Sequence, residues 1–512
     1  MGEDVRHYEI QQNDKYGRYL IATKDLVAGE LIFTDTPFAV GPKPGKPQDP
    51  CAGPMVSNVK INFFNTDTPP LCLGCYCPVE NTLCSSCGWP VCSEECGKSP
   101  VHAGECAFFS AARVKFQPVE DWTASAPQLD CITPLRVLLA KEKYPDRWQQ
   151  ELDVMETHTE ERKLRPTWGA DQVNIADFLI DRCKRFDKES VQKVCGILEV
   201  NSVEIPSRGG FSIRALYPRL SIAAHNCVPN IVHTILQNDY QVQVRAAVPI
   251  KEGDSLLICY TYSLSPTLVR REFLTESKFF QCDCARCADP TELGTNLSTL
   301  KCSKCDNGVI LATDPLDKDT SWTCTDKNCG FKTSNAAMRK ILTVVQAEID
   351  QLELLEPGPS AVEQREATIN KYKSVFHPRH SLLLSLKHSL AQLYGRVEGY
   401  GIDELPDLML ERKAEFCRLV LKTLDVITPG ETRMRGMMLY ELHAPLMFLA
   451  RNEFGAGLIT REKLKEKLQE PIQCLAEAAR ILMREDPHSP EGITGQVAQQ
   501  SMEQLKASLE CL

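Results

Sequence analysis

The sequence predicts an α+β protein assembled from several small modules. Three observations predict it. Short β-rich runs between residues 16 and 262 are separated by turn residues, without a βαβ alternation. Cysteine is crowded into one part of the chain: residues 1–332 hold 21 of the 24, and the rest hold only Cys417, Cys474 and Cys511. From about residue 333 the apolar pattern is helical to the end.

Composition removes several classes first. With 43 % hydrophobic and 25 % charged residues in 512, the chain is neither mainly disordered nor collagen-like. No run reaches the ~18 continuous apolar residues of a membrane helix. The start, MGEDVRHYEI, lacks the apolar core of a secretory signal, and Arg6 stands where a myristoylation signal needs Ser or Thr. A reducing compartment is expected, where clustered thiols bind metal rather than pair. The net charge of −10 argues against nucleic-acid binding driven by overall charge.

The strand elements come in four segments. Residues 16–33, YGRYLIATKDLVAGELIF, are β-rich runs broken by Gly17 and a turn at Ala28-Gly29. Residues 201–205, NSVEI, lead through a Gly209-Gly210 hairpin signal into FSIRALYP. Residues 220–230 read LSIAAHNCVPN. Last, YQVQVRAAVPI and SLLICYTY read as a hairpin joined by Lys251-Glu252-Gly253-Asp254.

The cysteines fall into three groups. Cys72-x2-Cys75, Cys84-x2-Cys87, Cys92-x3-Cys96 and His102-x3-Cys106 give eight ligands in 35 residues, enough for two tetrahedral zinc sites. Cys77 competes with Cys75, which the x2 spacing favours. The segment has too few apolar residues for its own core, so metal takes that place. Cys282-x-Cys284-x2-Cys287 lacks a fourth ligand, and Cys227 is the best distant donor. Cys302-x2-Cys305 with Cys324-x4-Cys329 reads as a zinc ribbon, a fourth Zn2+ site.

The run CSSCGWPVCSEECGKSPVHAGEC resembles the MYND zinc finger. That resemblance implies interleaved pairs: Cys72, Cys75, Cys92 and Cys96 on one zinc, Cys84, Cys87, His102 and Cys106 on the other. The four β-rich segments resemble the SET domain of protein lysine methyltransferases. In this order, with the finger inserted, residues 5–290 resemble the SET and MYND domain (SMYD) family, and the tail with its extra ribbon resembles the arthropod branch. The implied organisation is a SET N-terminal part at 5–50, the MYND finger at 72–106 and a helical insert at 107–195. The SET core follows at 196–265, post-SET at 266–290, the ribbon at 298–332 and a TPR-like helical domain at 333–512.

The resemblance also implies roles. Gly17 and Arg18 contact S-adenosylmethionine, Asn201 bonds its polar end, Ser221 and His225 flank its cleft, and Phe280 stacks on the adenine. Tyr260, in ICY, stands at the methyl-transfer point, with Tyr262 as a rival hydroxyl. Cys227, Cys282, Cys284 and Cys287 form the post-SET zinc, which pins a lid over the cleft. Methyl transfer needs alignment and a neutral amine rather than a strong nucleophile, and an apolar channel lowers a lysine's pKa by desolvation. The expected activity is lysine N-methylation of a histone or other protein, in transcriptional regulation, by a monomer in nucleus or cytoplasm. Its finger and helical domain bind protein partners; membrane and direct nucleic-acid contacts are not expected. The alternative is a catalytically reduced SET/MYND adaptor.

Three departures from the family pattern support that alternative. Tyr19 replaces a second glycine, so a ring would crowd the cofactor. Ala224 in AHNC replaces the Asn of NHSC, and losing a partner of a buried polar group costs ~1–3 kcal/mol. Lys278 or Phe279 stands where many members have a Tyr.

Two helical regions complete the reading. ITPLRVLLAKEKY and VNIADFLIDRCKRF are amphipathic stretches of the insert. In the tail, Phe416, Leu419, Val420, Thr423, Leu424 and Ile427 share one face, and helix breaks are expected at Pro378, Pro429 and Pro487. Their spacings of 51 and 58 residues exceed a tetratricopeptide period of ~34, so the array is TPR-like only. LEPGPSAVEQ, residues 355–364, reads as an exposed loop, and the resemblance turns the C-terminal helices toward the cleft.

Overall fold

The computed structural model of the chain describes residues 7–44 and 69–511. The ends of the expected segment 5–50, and the myristoylation positions Gly2 and Arg6, lie outside the described residues.

The β part consists of small sheets wrapped around one core. Strands Tyr8–Asn13 and Gly17–Ala22 form an antiparallel hairpin. Its loop is closed by Asn13 Oδ1, which accepts from the amides of Lys15 and Tyr16, and by Gly17 at φ +63°. Leu31–Asp35, Val242–Ala246 and Ile231–Ile235 form a second sheet, with Val242–Ala246 central. Ala39–Pro42, Ser212–Leu216 and Val203–Pro206 form a third, again in antiparallel register. Buried Leu20, Ile32, Phe33, Ile213, Val242, Val244 and Leu256 join their inner faces.

The hairpin expected between YQVQVRAAVPI and SLLICYTY is not formed. Val242–Ala246 pairs with Leu31–Asp35 and Ile231–Ile235, while Leu257–Ile258 runs parallel to Ala224–His225. The turn at 251–254 exists, with Gly253 at φ +86°, but Ile250 bridges to Leu26 and Ser255 to Ile21 instead of to each other. Adjacent runs and a turn give the hairpin signal in sequence; pairing with the distant first segment wins because it buries both edges of Val242–Ala246.

The zinc finger does not rely on metal alone. Its apolar residues Leu73, Val79, Trp89 and Val91 share a core with the insert helices Pro100–Ala112, Ile132–Lys143 and Lys188–Asn201. Fully buried Trp89 stacks on Phe109 at 4.0 Å and donates its indole N–H to Val114. Segment Gln172–Arg182 of the insert is wound as a π-helix rather than the expected α-helix.

The ribbon is a four-stranded meander, Leu300–Lys301, Val309–Ala312, Ser321–Cys324 and Lys332–Ser334. Helices follow from Asn335–Glu353 to Pro490–Cys511. Pro378, Pro429 and Pro487 all lie between helices, and the predicted stripe sits on Asp407–Ile427 with all but Leu419 buried. LEPGPSAVEQ is only half a loop. Pro359 opens helix Pro359–Tyr372 as its first residue, where its missing N–H has no intrahelical partner to lose, and Ala361 and Val362 are buried. The tail docks on the second sheet: the Glu431 amide donates to Ala247 at 2.8 Å, Glu485 accepts from Thr234, and Asp486 from the Gln237 amide.

Candidate active-site cleft and metal centres

Among the described residues, four groups of metal-ligating side chains converge. They are Cys72, Cys75, Cys92 and Cys96; Cys84, Cys87, His102 and Cys106; Cys227, Cys282, Cys284 and Cys287; and Cys302, Cys305, Cys324 and Cys329, with all ligand atoms of each within 4.8 Å of one another. A tetrahedral zinc with Zn–S of ~2.3 Å needs sulfurs about 3.8 Å apart. Observed separations include 3.5 Å for Cys75–Cys92, 3.9 Å for Cys84–Cys106, 3.9 Å for Cys227–Cys282 and 3.6 Å for Cys305–Cys324. The donor sets therefore fit zinc. In the finger the pairs interleave, and Cys75 rather than Cys77 enters the tetrad.

Two of these centres carry partners that spacing alone does not reveal. His102 Nε2 faces Cys87 Sγ at 3.3 Å, and its Nδ1 meets buried Glu105 at 3.1 Å. Glu105 in turn holds Arg136, which also donates to the carbonyls of Val40 and Leu73 and to the Tyr76 hydroxyl. Burial would raise the Glu105 carboxyl, but Arg136 and His102 hold it below the usual range. Two sequence signals existed: Glu105 follows the ligand His102 by three residues on one helix, and Arg136 interrupts the apolar face of ITPLRVLLAKEKY. Glu105→Gln is expected to weaken the Cys84 site about 10–100-fold while sparing the other finger site, in chelator competition followed by elemental analysis.

The post-SET centre is joined to an ionic triad. Arg270 donates to Cys227 and Cys287 sulfurs at 3.3 and 3.5 Å. Arg270 and Arg286 both pair with Glu292, at 2.6 and 2.9 Å, and all three side chains are buried. The surrounding thiols pull Cys227 toward its thiolate form.

Beside this centre lies a cleft of about 1160 Å³. Gly17, Arg18, Asn201, Ser221, His225, Tyr260 and Phe280 all line it, although they come from five separate stretches of chain. The His225 ring joins cleft and metal. Its Nδ1 accepts from the Tyr260 amide at 3.0 Å, so the proton resides on Nε2, which faces Cys227 Sγ at 3.3 Å. The Tyr260 hydroxyl donates to the Ala223 carbonyl at 2.6 Å, and burial pushes its phenol up. Tyr262 instead packs against the tail helices.

Asn201 ends helix Lys188–Asn201, where its amide donates to the carbonyls of Ile197 and Glu156 at 3.0 and 3.1 Å. That leaves its side-chain oxygen as the atom able to serve a ligand. Ser221 Oγ donates to the carbonyls of Tyr217 and Asn201, fixing the wall rather than presenting a donor. Arg18 reaches the Val154 carbonyl at 3.3 Å from the cleft edge. Phe280 stands 5.8 Å from the His225 ring.

The departures resolve individually. Tyr19 places its ring 5.5 Å from Tyr16 and donates to Gln11 on the opposing strand, so it does not crowd the cleft as expected. Ala224 is buried in the parallel pairing with Leu257. Lys278, not Phe279, stands beside Tyr260. Phe279 stacks on His158 at 4.6 Å under Arg165. Among the described residues the lining falls between 12 and 284, and the tail helices pack on the second sheet and on Tyr262, Leu264 and Leu297.

No protein-family model matches the chain. It is 31 % identical over 331 residues to the SET domain-containing protein SmydA-8, isoform A, of Drosophila melanogaster, covering 63 % of this chain and 65 % of that protein. It is 26 % identical over 231 residues to the N-lysine methyltransferase SMYD2 of Gallus gallus, covering 42 % of this chain and 50 % of that one. It is 23 % identical over 461 residues to the histone-lysine N-methyltransferase ASHR1 of Arabidopsis thaliana, covering 83 % of each. The chain spans just under two thirds of the length of the two SmydA-8 isoforms it matches, 65 % and 64 %. No helix among the described residues is long and apolar enough to cross a membrane. Sequence likeness and the interleaved finger agree, and the chain is similar to SET and MYND domain (SMYD) proteins, the SmydA-8 isoforms of Drosophila melanogaster among them.

Proposed function

We propose that this chain is an S-adenosylmethionine-dependent protein-lysine N-methyltransferase, with a histone or other regulatory protein as substrate. The observation that carries the reading is the meeting of Gly17, Arg18, Asn201, Ser221, His225, Tyr260 and Phe280 around one cleft closed by a metal-binding tetrad. The cofactor supplies a sulfonium methyl group. The chain's own residues supply alignment. Arg18 is a cation for a carboxylate, the Asn201 oxygen an acceptor for an ammonium, and Phe280 and His225 are aromatic walls for a purine. Tyr260, its amide held by the His225 ring and its hydroxyl by the Ala223 carbonyl, orients an incoming amine.

Isothermal titration with S-adenosylhomocysteine tests the cleft, and labelled methyl transfer to a lysine-peptide library tests the reaction. Tyr260→Phe is expected to lower transfer at least about tenfold with little change in cofactor affinity. Equal rates would remove Tyr260 from the mechanism. A second reading, an adaptor with the same surfaces, is favoured by Ala224 and by the Lys278 amine against Tyr260. No heat of binding at millimolar ligand would decide for it.

A further inference from the structure

Two lysines line the cleft among the described residues. Lys15 is exposed and paired with Asp283 at 2.8 Å. Lys278 is different. Its Nζ stands 5.6 Å from the centre of the Tyr260 ring and donates to the carbonyl of Val200, the residue before Asn201. The amine is held there by a rigid corner. Lys278 caps helix Thr267–Ser277, its amide donating to Leu274 at 2.9 Å. Phe279, next along, takes φ +61° and is clamped between His158 and Arg165. The residue is half-buried, yet desolvation of the amine outweighs nearby Glu199 and brings it down to about 8. A good fraction is therefore neutral near physiological pH, where an ordinary lysine is almost wholly charged.

An amine against an aromatic face and beneath a backbone carbonyl has the surroundings that a lysine-methylating site offers its substrate. We propose that Lys278 is a methyl acceptor within its own cleft, modified intramolecularly by the bound sulfonium donor. This rests on the methyltransferase reading above. The lone pair of the neutral amine attacks the methyl carbon. The N–C bond forms as the C–S bond breaks, and the bonding pair stays on sulfur as a neutral thioether. The resulting methylammonium loses one proton to solvent. Until an outside lysine displaces it, Lys278 occupies the acceptor side of the cleft.

Full-length protein incubated with S-adenosylmethionine carrying a deuterated methyl group, then mapped by mass spectrometry, should carry label on the Lys278 peptide. The rate per molecule should not change on dilution, and Lys278→Arg should abolish that label. Tyr260→Phe should slow it at least about tenfold. A readout without turnover is the ¹³C resonance of reductively dimethylated Lys278, identified by its absence in Lys278→Arg. It should shift when S-adenosylhomocysteine binds; an unmoved resonance at saturation overturns the proposal. Label on an external lysine peptide with Lys278 unmodified also overturns it and leaves the methyltransferase reading standing. Absence of S-adenosylhomocysteine binding removes both.

Discussion

Arg270→Met should cost about 3–5 kcal/mol and loosen the post-SET metal, because it takes from a buried carboxylate one of its two cations and from two sulfurs their guanidinium donor. Four thiolates on one Zn2+ carry two net negative charges. Arg270 and Arg286 oppose these, and Glu292 bridges the guanidiniums, accepting also from the Thr267 amide and Ser298. Burial alone would raise the Glu292 carboxyl, but the two arginines bring it down to about 2 from 4.5. A depressed carboxylate stabilises the fold above its unfolded pKa. That contribution is complete above about pH 5 and is lost as pH falls from there toward 2. In the variant, with Arg286 as the remaining cation, it should be reduced at neutral pH already. Zinc release to a chromophoric chelator and amide hydrogen exchange across 264–292 measure it. Wild-type release with unchanged protection would mean that the triad does not support the metal.

Gly430→Ala should undock the helical tail from the core. Gly430 sits at φ +84°, where a side chain alone costs ~1–2 kcal/mol. A Cβ there would also lie 2.0 Å from the Ala247 carbonyl oxygen and 2.7 Å from Val248 Cγ1. The oxygen cannot yield, since it accepts from the Glu431 amide and the Ala247 N–H itself donates to the Asn230 carbonyl. Glu431 further pairs with Arg480 and Arg484, so displacing the turn breaks a charged junction as well. The expected result is a separate, earlier thermal transition for the tail and new proteolytic cleavage near 428–432. A single transition at the wild-type temperature would show that the junction tolerates the methyl group.

What was legible in the sequence was set by chemistry with fixed spacing. Cys72 to Cys106 could be read as two metal sites because zinc admits few ligand arrangements, and Cys227 stood out because a trio at 282–287 needs a fourth donor. The Gly209-Gly210 hairpin was readable from its turn residues, and the strands on either side do pair. Long-range choices were not readable. Whether Val242–Ala246 pairs with its neighbour or with Leu31–Asp35 depends on which edges remain to be buried. Nor do Arg270, Arg286 and Glu292 differ in type from surface charges; only folding brings them together beside sulfur. Gln172–Arg182 has an apolar periodicity that suits an α-helix, and its π winding has no signature in that pattern.

The fused core of the finger has a mechanical consequence. Arg136 ties the finger's Leu73, Tyr76 and Glu105 to Val40 of strand Ala39–Pro42. That strand pairs with Ser212–Leu216, which pairs with Val203–Pro206, two residues beyond Asn201. Gly209 lets the finger lie against this sheet, since a Cβ there would meet Cys77 Cα at 2.9 Å. A protein gripping the finger's outer face, where Glu94 and Glu95 are exposed, would thus take hold of a lever whose other end is the wall carrying Asn201.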